Sequence, residues 1–119
     1  MFKTATKAIS SALLVLFSSS SLAASERAME AWKRIQNGAM IVDVRTPGEY
    51  QQSHLENAIN IPLNKVLSGF DEIDKATSIV LYCRSGNRSG QAFNLLNQQG
   101  FTNLYNGGGI NELLSAKPN

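Results

Sequence analysis

The sequence contains a single cysteine, Cys83, among its 119 residues. One thiol cannot form an internal disulfide, a paired-cysteine redox site or a thiolate metal site, so all three are excluded. Runs of about 20 apolar residues, which a membrane-spanning helix requires, are also missing. There is no internal repeat. A lone thiol is either a buried structural residue or a reactive group, and composition alone does not choose between them.

The N-terminus differs from the rest of the chain. Two lysines and no acidic residue precede an apolar segment, Ala8–Phe17, and a stretch of small residues follows it. This order is typical of a secretory signal peptide cut after Ala23. We therefore predict a signal peptide at residues 1–23 and an exported, periplasmic domain at residues 24–119, without stable membrane insertion once the signal is removed. The alternative is an uncleaved segment that anchors the protein in the membrane.

The positive charge of the chain belongs to its export signal. The sequence has 11 Lys and Arg against 9 Asp and Glu, and Lys3 and Lys7 lie in the predicted signal. The exported domain then carries equal numbers of both signs. It also lacks the cluster of basic residues that nucleic-acid binding requires. We therefore expect no nucleic-acid partner, no strongly charged protein partner and a monomer.

Short apolar segments alternate with amphipathic ones along the exported domain. This alternation predicts an α/β domain with a mostly parallel sheet. The sequence from Thr46 to Glu49 is typical of a capping box with proline at the first helical position. The three glycines that follow Asn106 predict a loop at 106–109. The predicted strands are 39–44, 58–61, 78–82 and 101–105, and the predicted helices are 25–36, 46–52, 64–70, 88–99 and 110–115.

Cys83 follows the strongest strand signal and precedes a helix by about five residues. Ligands of open α/β sheets collect at the carboxyl ends of strands, where a helix N-terminus presents unpaired N–H groups. Gly86 lies in the connecting loop and is free to adopt positive φ. Together with the cations Arg84 and Arg88, such a loop lowers the pKa of a thiol. These residues favour a reactive Cys83 over a merely buried one.

Four segments resemble those of one known family, the rhodaneses. Cys83–Ser89 is similar to the active-site loop of its single-domain members. Asp43–Arg45 with Glu49–Tyr50, His54–Pro62 and Asn103–Ile110 resemble other family segments, and all four occur in the family's order. The similarity covers nearly all of the exported domain and is closest in kind to small exported rhodaneses of the phage-shock type.

The resemblance implies a rhodanese-like fold with an about five-stranded, mainly parallel sheet flanked by helices. It also implies a sulfurtransferase without metal or cofactor. The Cys83 thiolate would take a sulfane sulfur from thiosulfate or a similar small anionic donor. The resulting persulfide would pass that sulfur to a thiophilic acceptor, either cyanide or a thiol.

The resemblance also assigns roles to residues around Cys83. Arg88 and Arg84 would attract and orient the sulfonate of the donor. Asp43 and Arg45 are expected to form an orienting ion pair, and His54 is expected to be structural. Backbone N–H groups of the loop would stabilise the persulfide, which makes the predicted substrate-binding set Arg84, Ser85, Gly86, Asn87, Arg88 and Ser89.

Two alternative functions remain at this point. The first is a catalytically weak rhodanese-like module that binds a partner. The second is a cysteine-based phosphatase, which also combines a thiolate, an N–H loop and an arginine. The phosphatase signature has one residue more between cysteine and arginine than the four found here. The shorter loop is better suited to one sulfur atom than to a phosphate group, which disfavours the phosphatase.

Overall fold

The computed structural model describes residues 26–119, so the predicted signal peptide lies outside the described range. Within that range a four-stranded parallel sheet has the strand order β2-β1-β3-β4. None of the helices between residues 26 and 119 combines the length and hydrophobicity needed to span a bilayer. The strands are β1 Met40–Asp43, β2 Ile59–Asn60, β3 Ile79–Cys83 and β4 Leu104–Gly109. The helices are α1 26–36, α2 Pro47–Gln52, α3 Val66–Gly69 after a 3-10 turn Leu63–Lys65, α4 Asn87–Gln98 and α5 Ile110–Ser115.

The predicted helices form where the local signals indicate. In α1 the alanines Ala28 and Ala31 are fully buried, and the Trp32 indole N–H donates to the Leu113 carbonyl at 2.8 Å. Trp32 thus attaches α1 to α5. Helix α2 begins with the predicted capping box, in which Thr46 and Glu49 exchange hydrogen bonds. The helix predicted before β1 and the predicted capping box are both confirmed.

Strand alternation separates two hydrophobic clusters on opposite faces of the sheet. Every residue of β3 is buried. Val80 and Tyr82 face the cluster that includes α1 and α5. Ile79, Leu81 and Cys83 face the cluster that includes α3 and α4. The thiol of Cys83 therefore projects toward the side of the sheet on which α4 packs.

The prediction of a loop at 106–109 is wrong, because β4 continues through Gly109. Leu81 pairs with Asn106 and Tyr82 with Gly108, so Gly107 is an extra residue in a β-bulge. A β-carbon on Gly107 would come within 3.0 Å of the Val80 side chain. Gly107 therefore serves close packing against β3 rather than a turn. The sheet has four strands in residues 26–119, where the resemblance implied about five.

Candidate active site

Cys83 is the last residue of β3 and lies at the carboxyl edge of the sheet, between β1 and β4. Its side chain is 1% exposed. The Gly86 N–H donates to the Cys83 sulfur at 3.0 Å, and the Ser89 hydroxyl oxygen lies 3.4 Å from the same atom. The chain therefore wraps around the thiol and enters α4 at Asn87, one residue before the predicted start of this helix.

Gly86 is at φ +99°, the left-handed conformation that favours glycine. A β-carbon there would lie 3.2 Å from an Arg27 guanidinium nitrogen and 3.3 Å from Gly108 Cα. The position therefore requires glycine for its backbone angle and has little room for a side chain. This conformation turns the Gly86 N–H toward the sulfur, which confirms the positive φ predicted from the sequence.

The surroundings of Cys83 act on its pKa in opposite directions. Burial is the largest single effect and raises the pKa, because it penalises the charged thiolate. Hydrogen bonds to the thiolate from the Ser89 hydroxyl and from the backbone N–H groups of Ser89, Ser85 and Gly86 lower it. The hydrogen bonds together outweigh burial, so the pKa of Cys83 lies below that of an ordinary thiol. A lowered pKa gives a larger thiolate fraction at neutral pH.

Arg88 forms a paired contact with Glu49. Its Nη1 and Nη2 donate to the two carboxylate oxygens at 2.7 and 3.0 Å. The contact lowers the pKa of Glu49 to about 2, mainly through the hydrogen bonds from Arg88. The Arg88 charge is thus neutralised by a carboxylate that also caps α2 through Thr46. The sequence predicted the capping role of Glu49 but not this second one.

Arg84 differs from Arg88 in having no ion-pair partner among residues 26–119. It is exposed, and it lines a cleft of about 270 Å³. Polar and charged side chains line most of this cleft. We refer to it as the polar cleft: Arg45, Glu49, Gln52, Ser53, Arg84, Ile110 and Asn111.

A second, larger cleft of about 460 Å³ includes Arg88 in its walls. Arg88 lines this cleft whereas Glu49 lines the polar one. Its walls are mostly apolar: Val44, Thr46, Pro47, Pro62, Leu63, Asn64 and Arg88. The two partners of the ion pair thus line two clefts of different polarity.

Asp43 and Arg45 form the predicted ion pair, with 2.7 Å between Arg45 Nη2 and Asp43 Oδ2. The two residues are 0% and 5% exposed. Hydrogen bonds to Asp43 keep the pKa of Arg45 raised despite its burial. Arg45 also donates to the Ser53 carbonyl at 2.6 Å. The pair joins the end of β1 to the end of α2 beside the polar cleft.

His54 has the structural environment that the sequence predicted. Its Nδ1 lies 2.8 Å from the Tyr50 carbonyl oxygen, and its ring stacks on the Tyr50 ring at a centroid distance of 3.8 Å. No hydrogen bond between His54 and Cys83 is formed in the described part of the chain. A cysteine–histidine dyad is therefore not present in the described structure.

The remaining predicted residues take different positions. Ser85 is exposed, with its N–H directed to the sulfur. Asn87 is exposed and accepts a hydrogen bond from Gln91 within α4. Ser89 is fully buried beside the sulfur. Of these three side chains, only Ser89 contacts Cys83 in the structure.

Two other residues at the site, Arg27 and Asn106, were not predicted from the sequence. Arg27 of α1 forms a double hydrogen bond with Glu112 at 3.0 and 3.1 Å and crosses the backbone at Gly108. Asn106 accepts from the Ser89 hydroxyl at 2.7 Å. Arg27 lies on an ordinary amphipathic helix, so nothing local marks it. For Asn106 the available signal was a polar residue directly before three glycines.

Comparison with known proteins identifies relatives for most of the chain. The family model described as "Rhodanese-like domain" matches residues 27–116. Thiosulfate sulfurtransferase PspE of Escherichia coli (strain K12) is 40% identical over 78 residues, which are 64% of this chain and 75% of that protein. A sulfurtransferase of Allochromatium vinosum is 42% identical over 67 residues, 56% of this chain and 63% of that protein. The chain thus spans less than two thirds of the second relative's length.

Comparison with solved structures also identifies proteins that resemble this chain. A rhodanese from E. coli, solved with anions, superposes with a TM-score of 0.60 at 39% identity and covers 63% of this chain and 91% of that one. SSP1007 from Staphylococcus saprophyticus has a TM-score of 0.64 at 28% identity, covering 72% of this chain and 88% of that one. The human single-domain sulfurtransferase TSTD1, at 23% identity and a TM-score of 0.62, shares the fold.

Proposed function

The chain belongs to the rhodanese family, and from this premise we propose that it moves a sulfane sulfur from thiosulfate or a similar donor to cyanide or a thiol through a persulfide on Cys83. One observation carries the proposal. The buried sulfur receives a hydrogen bond from the Gly86 N–H and lies beside the Ser89 hydroxyl, so a negative charge on it is stabilised.

The first half of the reaction is a displacement at sulfur. A lone pair of the Cys83 thiolate forms a bond to the outer sulfur of thiosulfate. The sulfur–sulfur bond of the donor breaks, and its electron pair leaves with sulfite. Cys83 thereby loses its charge, which leaves with sulfite, and the persulfide anion carries on its outer sulfur the charge that this atom had in thiosulfate. The N–H groups of Ser85 and Gly86 are positioned to stabilise this charge.

The second half returns the enzyme to its starting state. Cyanide or a thiolate forms a bond to the outer persulfide sulfur, and the bond between the two sulfurs breaks toward Cys83. The Cys83 thiolate is regenerated, and thiocyanate or a new persulfide leaves. Dividing one transfer into two such steps is the benefit of covalent catalysis. The N–H groups that stabilise the thiolate also make Cys83 a good leaving group.

Arg84 is the residue best placed to attract the donor. Its guanidinium is exposed in the polar cleft and is not neutralised by a carboxylate of residues 26–119. Arg88 contributes less than the sequence indicated, since Glu49 occupies both its terminal nitrogens. The anions in the related E. coli rhodanese structure support an anionic donor.

The proposal includes the location of the reaction. Residues 1–23 act as a cleaved export signal, and the monomeric domain works in the periplasm on small thiophilic acceptors. The support for this is the charge and hydropathy pattern of the N-terminal segment. Mass measurement on protein recovered from the periplasm distinguishes a chain that begins at Ala24 from one that retains the anchor.

The test of the function is sulfite release from thiosulfate with cyanide as acceptor. We expect stoichiometric sulfite and thiocyanate from the wild type and neither from Cys83→Ala. An aryl phosphate is offered in parallel. Phosphate release without sulfite would replace the proposal with a phosphatase. No turnover of either substrate by a folded wild-type protein would favour the binding module.

A further inference from the structure

Asn106 connects the parts of the loop that surround the sulfur. Its Oδ1 accepts from the Gly108 N–H at 3.1 Å and from the Ser89 hydroxyl at 2.7 Å. Its Nδ2 donates to the Gly86 carbonyl at 3.0 Å. Asn106 lies inside β4, directly before the bulge at Gly107, and its side chain reaches the loop. One amide thus contacts Gly86 and Ser89, two of the residues that contact Cys83.

The orientation of the Asn106 amide follows from its backbone partners. The Gly108 N–H can only donate and the Gly86 carbonyl can only accept, so Oδ1 and Nδ2 cannot be exchanged. The Ser89 oxygen, 2.7 Å from Oδ1, must then donate its proton to Asn106. In this arrangement Ser89 presents lone pairs, and not a proton, to the sulfur 3.4 Å away.

Ser89 has one hydroxyl proton and two neighbouring acceptors. A neutral thiol does not compete well for that proton, whereas a thiolate does, because hydrogen bonds to an ionised acceptor are stronger. Asn106 retains its bond from the Gly108 N–H when the Ser89 proton turns away. The hydroxyl can therefore change partners without leaving a buried amide oxygen unsatisfied.

We propose that Asn106 is a positioning residue for sulfur transfer, which holds the Ser89 hydroxyl proton while Cys83 is neutral and releases it to the sulfur when the charge is there. This inference rests on the proposed function for its place in the reaction. The hydroxyl donates to the inner sulfur in the thiolate state. It returns to Asn106 once Cys83 has lost its charge and the persulfide anion carries its charge on the outer sulfur.

The test is a double-mutant cycle on the pKa of Cys83, read from ultraviolet thiolate absorbance against pH. Asn106→Leu removes the competing acceptor, so the Ser89 proton is free to serve the thiolate. We expect Asn106→Leu to shift the pKa of Cys83 downward by about half a unit to one unit more when Ser89 is present than in the Ser89→Ala background. This difference is the size of one modest hydrogen bond. Loosening of the loop raises the pKa in both backgrounds and cancels in the cycle.

Other charges near the sulfur do not differ among the four proteins of the cycle. They come from α1, β1, the loop, α2, α4 and α5: Arg27, Asp43, Arg45, Arg84, Glu49, Arg88 and Glu112. Their effects on the pKa of Cys83 are therefore subtracted, and the coupling that remains reports on the Ser89 proton alone.

Asn106→Asp is a second variant of nearly identical shape, for use if the leucine variant does not fold. A carboxylate holds the Ser89 proton more strongly than an amide, so the coupling should have the opposite sign. The pKa of Cys83 should rise more when Ser89 is present than in the Ser89→Ala background. The inflection of the pH profile for sulfite release should move with it.

Equal shifts in the two backgrounds, for whichever variant folds, would overturn the inference and leave Asn106 a purely structural residue. The titration needs no sulfur donor, so its result is independent of the proposed function. Unequal pKa shifts in a protein that releases no sulfite would support the role of Asn106 in holding the Ser89 proton and contradict the proposed sulfurtransferase activity. Equal pKa shifts in a protein that releases sulfite would contradict that role of Asn106 and support the sulfurtransferase activity.

Discussion

The site has two regions that handle charge differently. The cradle around the Cys83 sulfur consists of uncharged donors, and Ser89 within it is fully buried. The rim consists of charged side chains that are partly exposed, and its Arg88 and Arg27 are bound to carboxylates. The cradle can stabilise a charge on the sulfur without screening by water, whereas water and salt screen the charges of the rim.

This difference assigns separate tasks to the two regions. N–H donors that the fold already directs at the sulfur need little reorganisation when charge develops there. Rim charges act on the approach of an anionic donor, and their effect is limited by pairing. We therefore expect cradle substitutions to change the pKa of Cys83 and kcat, and rim substitutions to change KM.

The largest expected effect comes from Gly86→Ala in the cradle. The residue is at φ +99°, and its β-carbon would meet Arg27 and Gly108. Backbone strain of about 1–3 kcal/mol would be relieved by turning the N–H away from the sulfur. We expect a higher pKa for Cys83 and a loss of about 30-fold or more in kcat/KM, measured by sulfite release.

Gly100→Ala is the matched control for that substitution. Gly100 has a similar φ of +96°, but no atom lies within 4 Å of its added β-carbon. It follows α4 on the side remote from Cys83. The control should lose a similar amount of stability to thermal unfolding and retain its activity. Equal activity losses in the two variants would assign the Gly86 effect to strain alone.

An intermediate effect on KM is expected at the rim, where removal of the unpaired arginine is compared with removal of an ion pair. Arg84→Ala removes the guanidinium that has no carboxylate partner in residues 26–119, and we expect KM for thiosulfate to rise about tenfold, the value of one charged contact. The double variant Arg88→Ala, Glu49→Gln removes a neutral pair. Its KM should change by less than about threefold.

The two rim variants are read together at constant ionic strength. Arg88→Ala alone would leave Glu49 as an uncompensated anion, and for this reason the pair is removed as a unit. A larger KM increase in the double variant than in Arg84→Ala would return the donor-binding role to Arg88, as the sequence indicated.

The smallest expected effect comes from Glu49→Gln. Glutamine preserves the capping box with Thr46 but removes the charge that neutralises Arg88. The freed guanidinium should then attract the donor, so we expect KM for thiosulfate to fall about threefold, with kcat unchanged. High salt should abolish the gain, because exposed charges are screened. A rise in KM would mean that the intact pair is what binds the donor.

Local signals in the sequence account for much of the site. The strand-to-helix transition, Gly86 and the capping box each depend on neighbours within a few residues, and each was predicted. The contacts of Arg27 with Glu112 and of Asn106 with Ser89 join distant segments, so they have no local signature. The glycines after Asn106 predict a turn as readily as a close approach between strands. For this reason the predicted strand ended at residue 105, whereas β4 continues through Gly109.

The central claim is that Cys83 accepts one sulfur atom, and intact-mass measurement of the protein after thiosulfate treatment near neutral pH tests it most directly. We predict a gain of one sulfur atom that cyanide removes and that Cys83→Ala does not acquire. A folded wild-type protein whose mass stays unchanged, or a gain that persists in Cys83→Ala, would contradict the account.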